Sequence, residues 1–254
     1  MTPASRPDIG PLGQLTRYLT ANALLAVTAI VGGLVILALT AASAGIYDAV
    51  AEEDGVSGLD QPTLDHVIAM RTPLANQALT VFTHLGGLLG MTLIASTVTL
   101  LMVWRWRSPT PLILMTIAVA GSLTFTTVGK AIVGRARPPL SDAVPPYEHA
   151  FSFPSGHTLN STVIAGTVAY LVASRLTSRL GIALCVVLAV AWAAAMGFSR
   201  IFLGHHWLTD VIFAWFLGLA WLAVLITAHR MVLALRRADS SREPSSAPSQ
   251  PARR

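Results

Sequence analysis

The sequence predicts an all-α, polytopic membrane protein: six transmembrane helices in a bundle, with a short interfacial helix in the first outer loop. Three observations carry this expectation. Hydrophobic residues make up 54% of the 254-residue chain and charged residues only 11%, with a mean hydropathy of +0.64, a balance foreign to water-soluble domains. Six stretches approach the roughly 20 apolar residues that a helix needs to cross a bilayer core. Lysine and arginine are also distributed unequally between the two sides of those stretches.

Taken in order, the expected spans are Ala21 to Ala44, Ala75 to Trp104, Pro111 to Val128, Thr158 to Ser174, Leu180 to Gly197, and Trp207 to Ala228. The first is too long, and its flanks too plain, for a cleaved signal peptide, so it is read as a retained span. Between the first two spans, Leu64, Val67 and Ile68 recur at helical spacing in the segment from Leu59 to Pro73. That pattern reads as a short amphipathic helix at the interface. Residues 1–20 form an N-terminal cytoplasmic segment and residues 21–237 the membrane domain. The Ser-, Pro- and Arg-rich stretch 238–254 is expected to be a disordered tail.

Six spans place both termini on one side. Arg6, Arg17, Arg105, Arg107, Arg175, Arg179 and the arginines from Arg230 to Arg254 fall on that side, which the positive-inside rule makes cytoplasmic. The opposite face, periplasmic or extracellular, carries Asp48, Glu52, Glu53, Asp54, Asp60 and Asp65 after the first span. Its cations are confined to Arg71, Lys130, Arg135, Arg137 and Arg200. The net charge of +5 does not indicate nucleic acid, because the arginines are scattered between apolar runs without a basic, aromatic-interleaved face. The single cysteine, Cys185, lies in an apolar run, which leaves packing as its role and excludes an intramolecular disulfide or a thiolate cluster.

Three polar clusters interrupt the apolar chain, all at span ends on the outer side. The first is Lys130, then six residues, then Arg137-Pro138. Snorkelling would account for interfacial cations, yet these lie on the side where positive charge is disfavoured, and Lys130 is the only lysine in the chain. An ammonium and a planar guanidinium can grip different oxygens of one phosphate. The second cluster is Pro154-Ser155-Gly156-His157. Ser155 is placed to cap the next helix, Gly156 permits close backbone approach, and a helix start with free N–H groups attracts an anion. Plain capping is the simpler reading of Ser155 alone, whereas an ionisable ring such as His157 at a span start usually faces a polar site.

The third cluster is Ser199-Arg200, five residues, His206, three residues, Asp210. If the last helix starts by His206, the spacing of four puts His206 and Asp210 on one face, so the carboxylate can orient the imidazole. Such a pair is the base-and-orienter arrangement of nucleophilic catalysis. His205 is five residues from Asp210 and would point elsewhere. A zinc site of His157, His206 and Asp210 has enough ligands, but Lys130, Arg137 and Arg200 would repel a divalent ion, and an anionic substrate explains all three cations.

With these motifs in order, the chain resembles the type 2 phosphatidic acid phosphatase superfamily, specifically its membrane lipid phosphate phosphatases. The motifs run from Lys130 to Asp210, and the six-span layout agrees with the membrane branch over nearly the whole chain. The resemblance implies that His206 is the nucleophile that forms a phosphohistidine, that Asp210 orients it, and that His157 protonates the leaving oxygen and later activates water. It implies that Lys130, Arg137, Ser155, Gly156 and Arg200 hold the phosphate oxygens, in keeping with a reaction that needs mainly positioning and charge stabilisation. Arg135 falls outside the motif and is left out of the expected site. No metal and no cofactor are implied. The substrate class is a lipid phosphate or lipid pyrophosphate, with polyprenyl pyrophosphate such as undecaprenyl pyrophosphate, phosphatidylglycerol phosphate and phosphatidic acid all compatible. Two alternatives use the same cations differently: vanadate-dependent halide oxidation, found in soluble members, and transport of a phosphorylated lipid without hydrolysis, which the lack of internal repeats and of mid-span charges disfavours.

Overall fold

A computed structural model describes residues 11–240. The chain is all-helical, without strands among the described residues: α1 (Pro11–Glu52), a 3-10 turn (Gly55–Leu59), α2 (Asp60–Ala69), α3 (Pro73–His84), α4 (Leu88–Trp106), α5 (Thr110–Val133), a 3-10 turn (Leu140–Asp142), α6 (Gly156–Ala173), α7 (Arg179–Phe202) and α8 (Leu208–Ser240). It divides into two compact units, residues 35–225 and the described residues up to Leu34 and from Ile226. In the smaller unit, Gly32 lies so close to Thr227 that an added Cβ would stand 2.3 Å from its Oγ1, the close approach that small residues allow between membrane helices.

Five helical segments are long and apolar enough to cross a membrane: Leu25–Glu52, Leu88–Trp106, Thr110–Val133, Arg179–Phe202 and Leu208–Arg237. Their outward faces display exposed Leu93, Leu100, Trp104, Leu180, Val187 and Leu188, as expected where the solvent is lipid. The segment expected as the fourth span is helical, as α6, but it is more polar than the other five. It is the helix most enclosed by neighbours, with Thr158, Leu159, Ser161, Thr162, Val163 and Thr167 all buried. A helix surrounded by protein can carry hydroxyls provided they are bonded. Here Thr162 and Thr167 donate to the carbonyls of Thr158 and Val163 at 2.8 and 2.7 Å, while Ser161 Oγ has no hydrogen-bond partner among the described residues. Leu159 and Val163 pack against Ala118 of α5 and Ala214 of α8, and an added Cβ on Gly166 would stand 2.3 Å from Leu222.

The expected second span, Ala75 to Trp104, is a correction: the chain breaks between His84 and Leu88 into α3 and α4. Glycines permit the turn, since a Cβ on Gly86 would meet Met196 Sδ at 2.4 Å and one on Gly90 the His84 carbonyl at 2.4 Å. α3 begins with Thr72 as cap, its hydroxyl accepting from Ala75 N at 3.2 Å, and Pro73 in the first turn. It packs along α7, with Phe82 edge-on to Trp192 at 5.4 Å. The short helix expected in the first loop is present as α2, its Leu64 and Val67 buried against Ile201, Leu203 and Val211. Helix α1 continues through Asp48 to Glu52, and α8 runs past Ala228 to Ser240. Ala238 to Ser240 of the expected tail are thus helical, and the rest of that tail, like residues 1–10, lies outside the described residues.

Candidate active site

Helix α7 ends at Phe202 and α8 starts at Leu208, and the tight turn between them carries both histidines. Gly204 has φ +70, and a Cβ there would stand 2.4 Å from the Asp142 carbonyl, so the turn requires glycine twice over. The amides of His205 and His206 both donate to the Arg200 carbonyl, at 3.0 and 3.3 Å. His206 is therefore placed ahead of α8, not on its face. Asp210, in the first turn of α8, reaches back instead: its Oδ2 accepts from Trp207 N at 3.0 Å and lies 3.3 Å from His206 Nδ1. The spacing of four works through a helix start.

The other ring nitrogen, Nε2, is 3.2 Å from Arg137 Nη1. A guanidinium can only donate, so Nε2 holds the lone pair and Nδ1 carries the proton toward Asp210. The imidazole is buried, and burial first, then Arg137 and Arg200, depress its proton affinity well below the usual histidine value. His206 is thus a neutral imidazole with a lone pair on Nε2, the form a nucleophile requires.

Asp210 is fully buried and both its oxygens are engaged. Ser152 donates its hydroxyl to Oδ2 and lies 3.4 Å from His206 Nδ1. Arg135 Nη1 donates to Oδ1 at 2.7 Å, which corrects the expectation that Arg135 stands apart from the site. Arg135 also reaches Thr209 Oγ1 at 2.8 Å and Asp60 Oδ2 at 2.6 Å. Its guanidinium is held above its ordinary range: burial works against the charge, and Asp210 and Asp60 outweigh it.

A second guanidinium cluster faces the other side of His206. Arg137 donates through Nε to Ala150 O at 2.6 Å and through Nη1 to His205 O at 2.5 Å, and pairs through Nη2 with Glu148 Oε2 at 2.8 Å. The other Glu148 oxygen pairs with Arg200 Nη2, while Arg200 Nη1 donates to Thr83 Oγ1 at 3.0 Å. One carboxylate therefore bridges Arg137 and Arg200. Burial works against its charge, and Arg200 together with the other cationic neighbours outweighs that penalty and holds it well below the usual carboxylate range. Arg200 Nε is a buried donor with no hydrogen-bond partner among the described residues. Lys130, in the last turn of α5, donates to Phe151 O, which also accepts from Arg137 Nη2 at 3.4 Å.

Ser155 caps α6 by position, but its side chain makes no capping bond. Its Oγ is 2.9 Å from Thr158 Oγ1 instead, and its backbone N donates to Asp210 O at 3.3 Å. A Cβ on Gly156 would stand 2.9 Å from Thr126 Cγ2. His157 lines a cavity of about 340 Å³ together with Arg200, Glu148, His205, Thr83 and Gly87. His205 is turned from Asp210, with its Nε2 2.7 Å from the Val144 carbonyl, and burial followed by Arg200 lowers its pKa to about 4. The alternative zinc set is not assembled, since no three His, Cys, Asp or Glu side chains converge among the described residues. Every residue expected from the motifs thus lies in one region. Sequence reasoning missed Ser152, Glu148, Arg135, Asp60 and Thr83. The signal for Glu148 and Arg135 was their position within the outer segment of the basic motifs, while Ser152 and Thr83 carried none.

Known proteins resemble the chain in sequence and in fold. A family model described as PAP2 superfamily matches residues 110–233. Phosphatidylglycerophosphatase B of Bacillus subtilis is 29% identical over 178 residues, 68% of this chain and 85% of that protein. Among solved structures, a transmembrane PAP2-type phosphatidylglycerolphosphate phosphatase from Bacillus subtilis superposes with a TM-score of 0.68 at 24% identity, covering 78% of this chain and 96% of the other. Aquifex aeolicus LpxE superposes with a TM-score of 0.50 at 22% identity, covering 70% and 95%. At these identities the two structures bear on the fold.

Proposed function

We propose, from the match to the PAP2 superfamily model over residues 110–233, that this multi-pass membrane protein is a phosphatase of that superfamily that hydrolyses a lipid phosphate or lipid pyrophosphate through a phosphohistidine on His206. The observation that carries the reading is the orientation of His206, with Nδ1 toward Asp210 Oδ2 at 3.3 Å and Nε2 toward Arg137 at 3.2 Å. The substrate phosphate would take the place of the Glu148 carboxylate between Arg137 and Arg200, adding the unpartnered Arg200 Nε as a third donor. Lys130 and the start of α6, with Ser155 and Gly156, complete the cradle.

In the first step Nε2 attacks phosphorus in line, the N–P bond forms, and the bond to the lipid oxygen breaks as His157 gives that oxygen its proton. Nδ1–H stays on His206, and Asp210 stabilises the positive charge the ring acquires. In the second step water attacks phosphorus, the N–P bond breaks, and His157 takes the proton from water. The net reaction releases the lipid alcohol, or the lipid monophosphate from a pyrophosphate, together with inorganic phosphate. Most of the acceleration comes from charge already in place around the equatorial oxygens.

The site faces outward in this reading, by the charge asymmetry of the loops. Of the three compatible substrates, phosphatidylglycerol phosphate is expected to be turned over fastest, since the Bacillus relative is a phosphatidylglycerophosphatase. The test is phosphate release by purified protein in EDTA from phosphatidylglycerol phosphate, undecaprenyl pyrophosphate and phosphatidic acid, with phosphoenzyme trapped from labelled substrate. Wild type should turn over and form phosphoenzyme, and His206→Ala should lose both together. Turnover retained in His206→Ala would move the nucleophile elsewhere. Binding without phosphate release would favour a carrier, and halide oxidation on adding vanadate and peroxide would favour the haloperoxidase chemistry.

A further inference from the structure

We propose that Arg135 is a positioning residue for the nucleophile: it locks Asp210 in the one orientation that keeps the proton of His206 on Nδ1, and it is itself held by Asp60 of the outer-loop helix α2. The inference rests on the reading of His206 as the nucleophile.

The arrangement leaves Asp210 no freedom. Arg135 Nη1 takes Oδ1 at 2.7 Å, and the amide of Trp207, the hydroxyl of Ser152 and His206 Nδ1 share Oδ2. Arg135 is fixed in turn from the opposite side. Its Nη2 donates to Asp60 Oδ2 at 2.6 Å, and Asp60 Oδ1 accepts from Thr209 N at 2.9 Å. The Thr209 hydroxyl accepts from Arg135 at 2.8 Å and donates to Asp60 Oδ2 at 2.7 Å. Trp207 stacks beside the guanidinium, its ring centroid 5.6 Å from Cζ. Two buried carboxylates, each in the first turn of a helix, are thus bridged by a single planar fork. A fork serves both where an ammonium could serve one.

Removing the fork would leave two buried carboxylates facing each other with no cation between them, an arrangement that one of them escapes by binding a proton or turning away. If Asp210 does either, His206 loses the acceptor for Nδ1–H, only the Arg137 N–H 3.2 Å from Nε2 still favours that tautomer, and in the fraction of molecules whose proton moves to Nε2 the lone pair needed for attack is lost. The defect is in the reactivity of His206 and leaves the phosphate cradle of Arg137, Arg200 and Lys130 in place. It therefore falls on kcat and spares KM.

The experiment compares wild type, Arg135→Met, Arg135→Lys and Asp60→Asn in detergent with two readouts. Nitrogen-15 NMR of labelled histidine, with the His206 signal assigned by its loss in His206→Gln, reads the tautomer above the histidine titration range. Steady-state kinetics on phosphatidylglycerol phosphate give kcat and KM separately. Wild type should show Nδ1–H. Arg135→Met should show a mixed tautomer and a kcat lower by about 100-fold, the scale of a misplaced reacting group, with KM changed less than about threefold. Arg135→Lys should recover about tenfold of that loss, and Asp60→Asn should lose about tenfold with the same kcat and KM split. Retention of the wild-type tautomer and kcat in Arg135→Met, or a loss confined to KM, overturns the proposal. If Arg135→Met does not fold, Asp60→Asn decides by the same readouts. A wild type that releases phosphate from no lipid would end the phosphatase reading, while the tautomer would still judge the role of Arg135.

Discussion

Arg135 and Arg137 stand two residues apart on the same loop and have opposite circumstances. Arg135 is paired with two carboxylates that belong to the frame, Asp60 and Asp210, and has nothing to exchange. Arg137 leans on backbone carbonyls and on His206, and its carboxylate partner, Glu148, lies on the loop before α6 and lines the same cavity as His157. A guanidinium whose charge is cancelled by fixed groups positions its neighbours, whereas one whose counter-ion can leave is available to a substrate. The pairing partner, more than the residue type, separates positioning from binding.

Several substitutions break or sharpen this contrast. The largest effect is expected from Arg137→Ala, which removes the donor nearest to Nε2 and one arm of the cradle. It should lower kcat/KM by about 1,000-fold, an order of magnitude beyond Arg135→Met, with KM affected as well as kcat; equal losses at the two positions would erase the distinction. Glu148→Gln removes the competing charge while keeping the shape. Inhibition by inorganic phosphate should become stronger by about tenfold, and an unchanged inhibition constant would show that the carboxylate does not occupy the phosphate position.

The pH dependence tests the His206 side of the contrast. An imidazole in water is half protonated near about pH 6.5, and burial together with Arg137 and Arg200 lowers that value for His206. The neutral imidazole therefore persists as pH falls, and the acid limb of kcat/KM should lie below pH 6.5; burial followed by Arg200 also lowers His157, to about 3, so an alkaline limb from His157 belongs to the substrate-bound enzyme and shows in kcat. An acid limb above 6.5 would mean that the cations around Nε2 are not felt. The smallest effect is expected from Trp207→Phe, since Trp207 Nε1 donates at 2.9 Å to the carbonyl of Ala136, the residue between the two arginines. Loss of that one bond should cost about 1 kcal/mol of stability, seen as a lower melting temperature in detergent, and should weaken both arginine functions equally and slightly.

The apolar runs made the helices legible, because lipid imposes length and composition on any crossing segment. They could not show the break at Gly86, since glycine is ordinary in membrane helices and the close approach of Met196 that requires it there is visible only in the fold. The enclosed position of α6 was hidden for a related reason: its hydroxyls read as weak hydrophobicity until its neighbours are known. Within the site, the spacing of His206 and Asp210 was informative although the two do not share a helix face. A residue three beyond a cap reaches back to the chain before it, and the same spacing of four serves either geometry. Position among the basic motifs marked Arg135, but what it does was illegible because its partners, Asp60 and Asp210, lie 75 positions away on either side. Its role exists only once α2 is laid beside the start of α8.

Two backbone bonds moor the loop between α5 and α6. Val144 N donates to Leu203 O at 2.9 Å and Ser152 N to Arg135 O at 2.8 Å, so residues 145–151 form a span between two moorings. Within it, Phe151 and Ala150 hold Lys130 and Arg137 through backbone carbonyls alone, which any side chain can supply. Tyr147 and Glu148, by contrast, put side chains on the cavity wall. The segment is thus a natural graft site. Exchanging its cavity-facing side chains would retune which leaving groups are accepted, while the hydrogen bonds that orient His206 stay beneath the moorings, outside the exchanged segment.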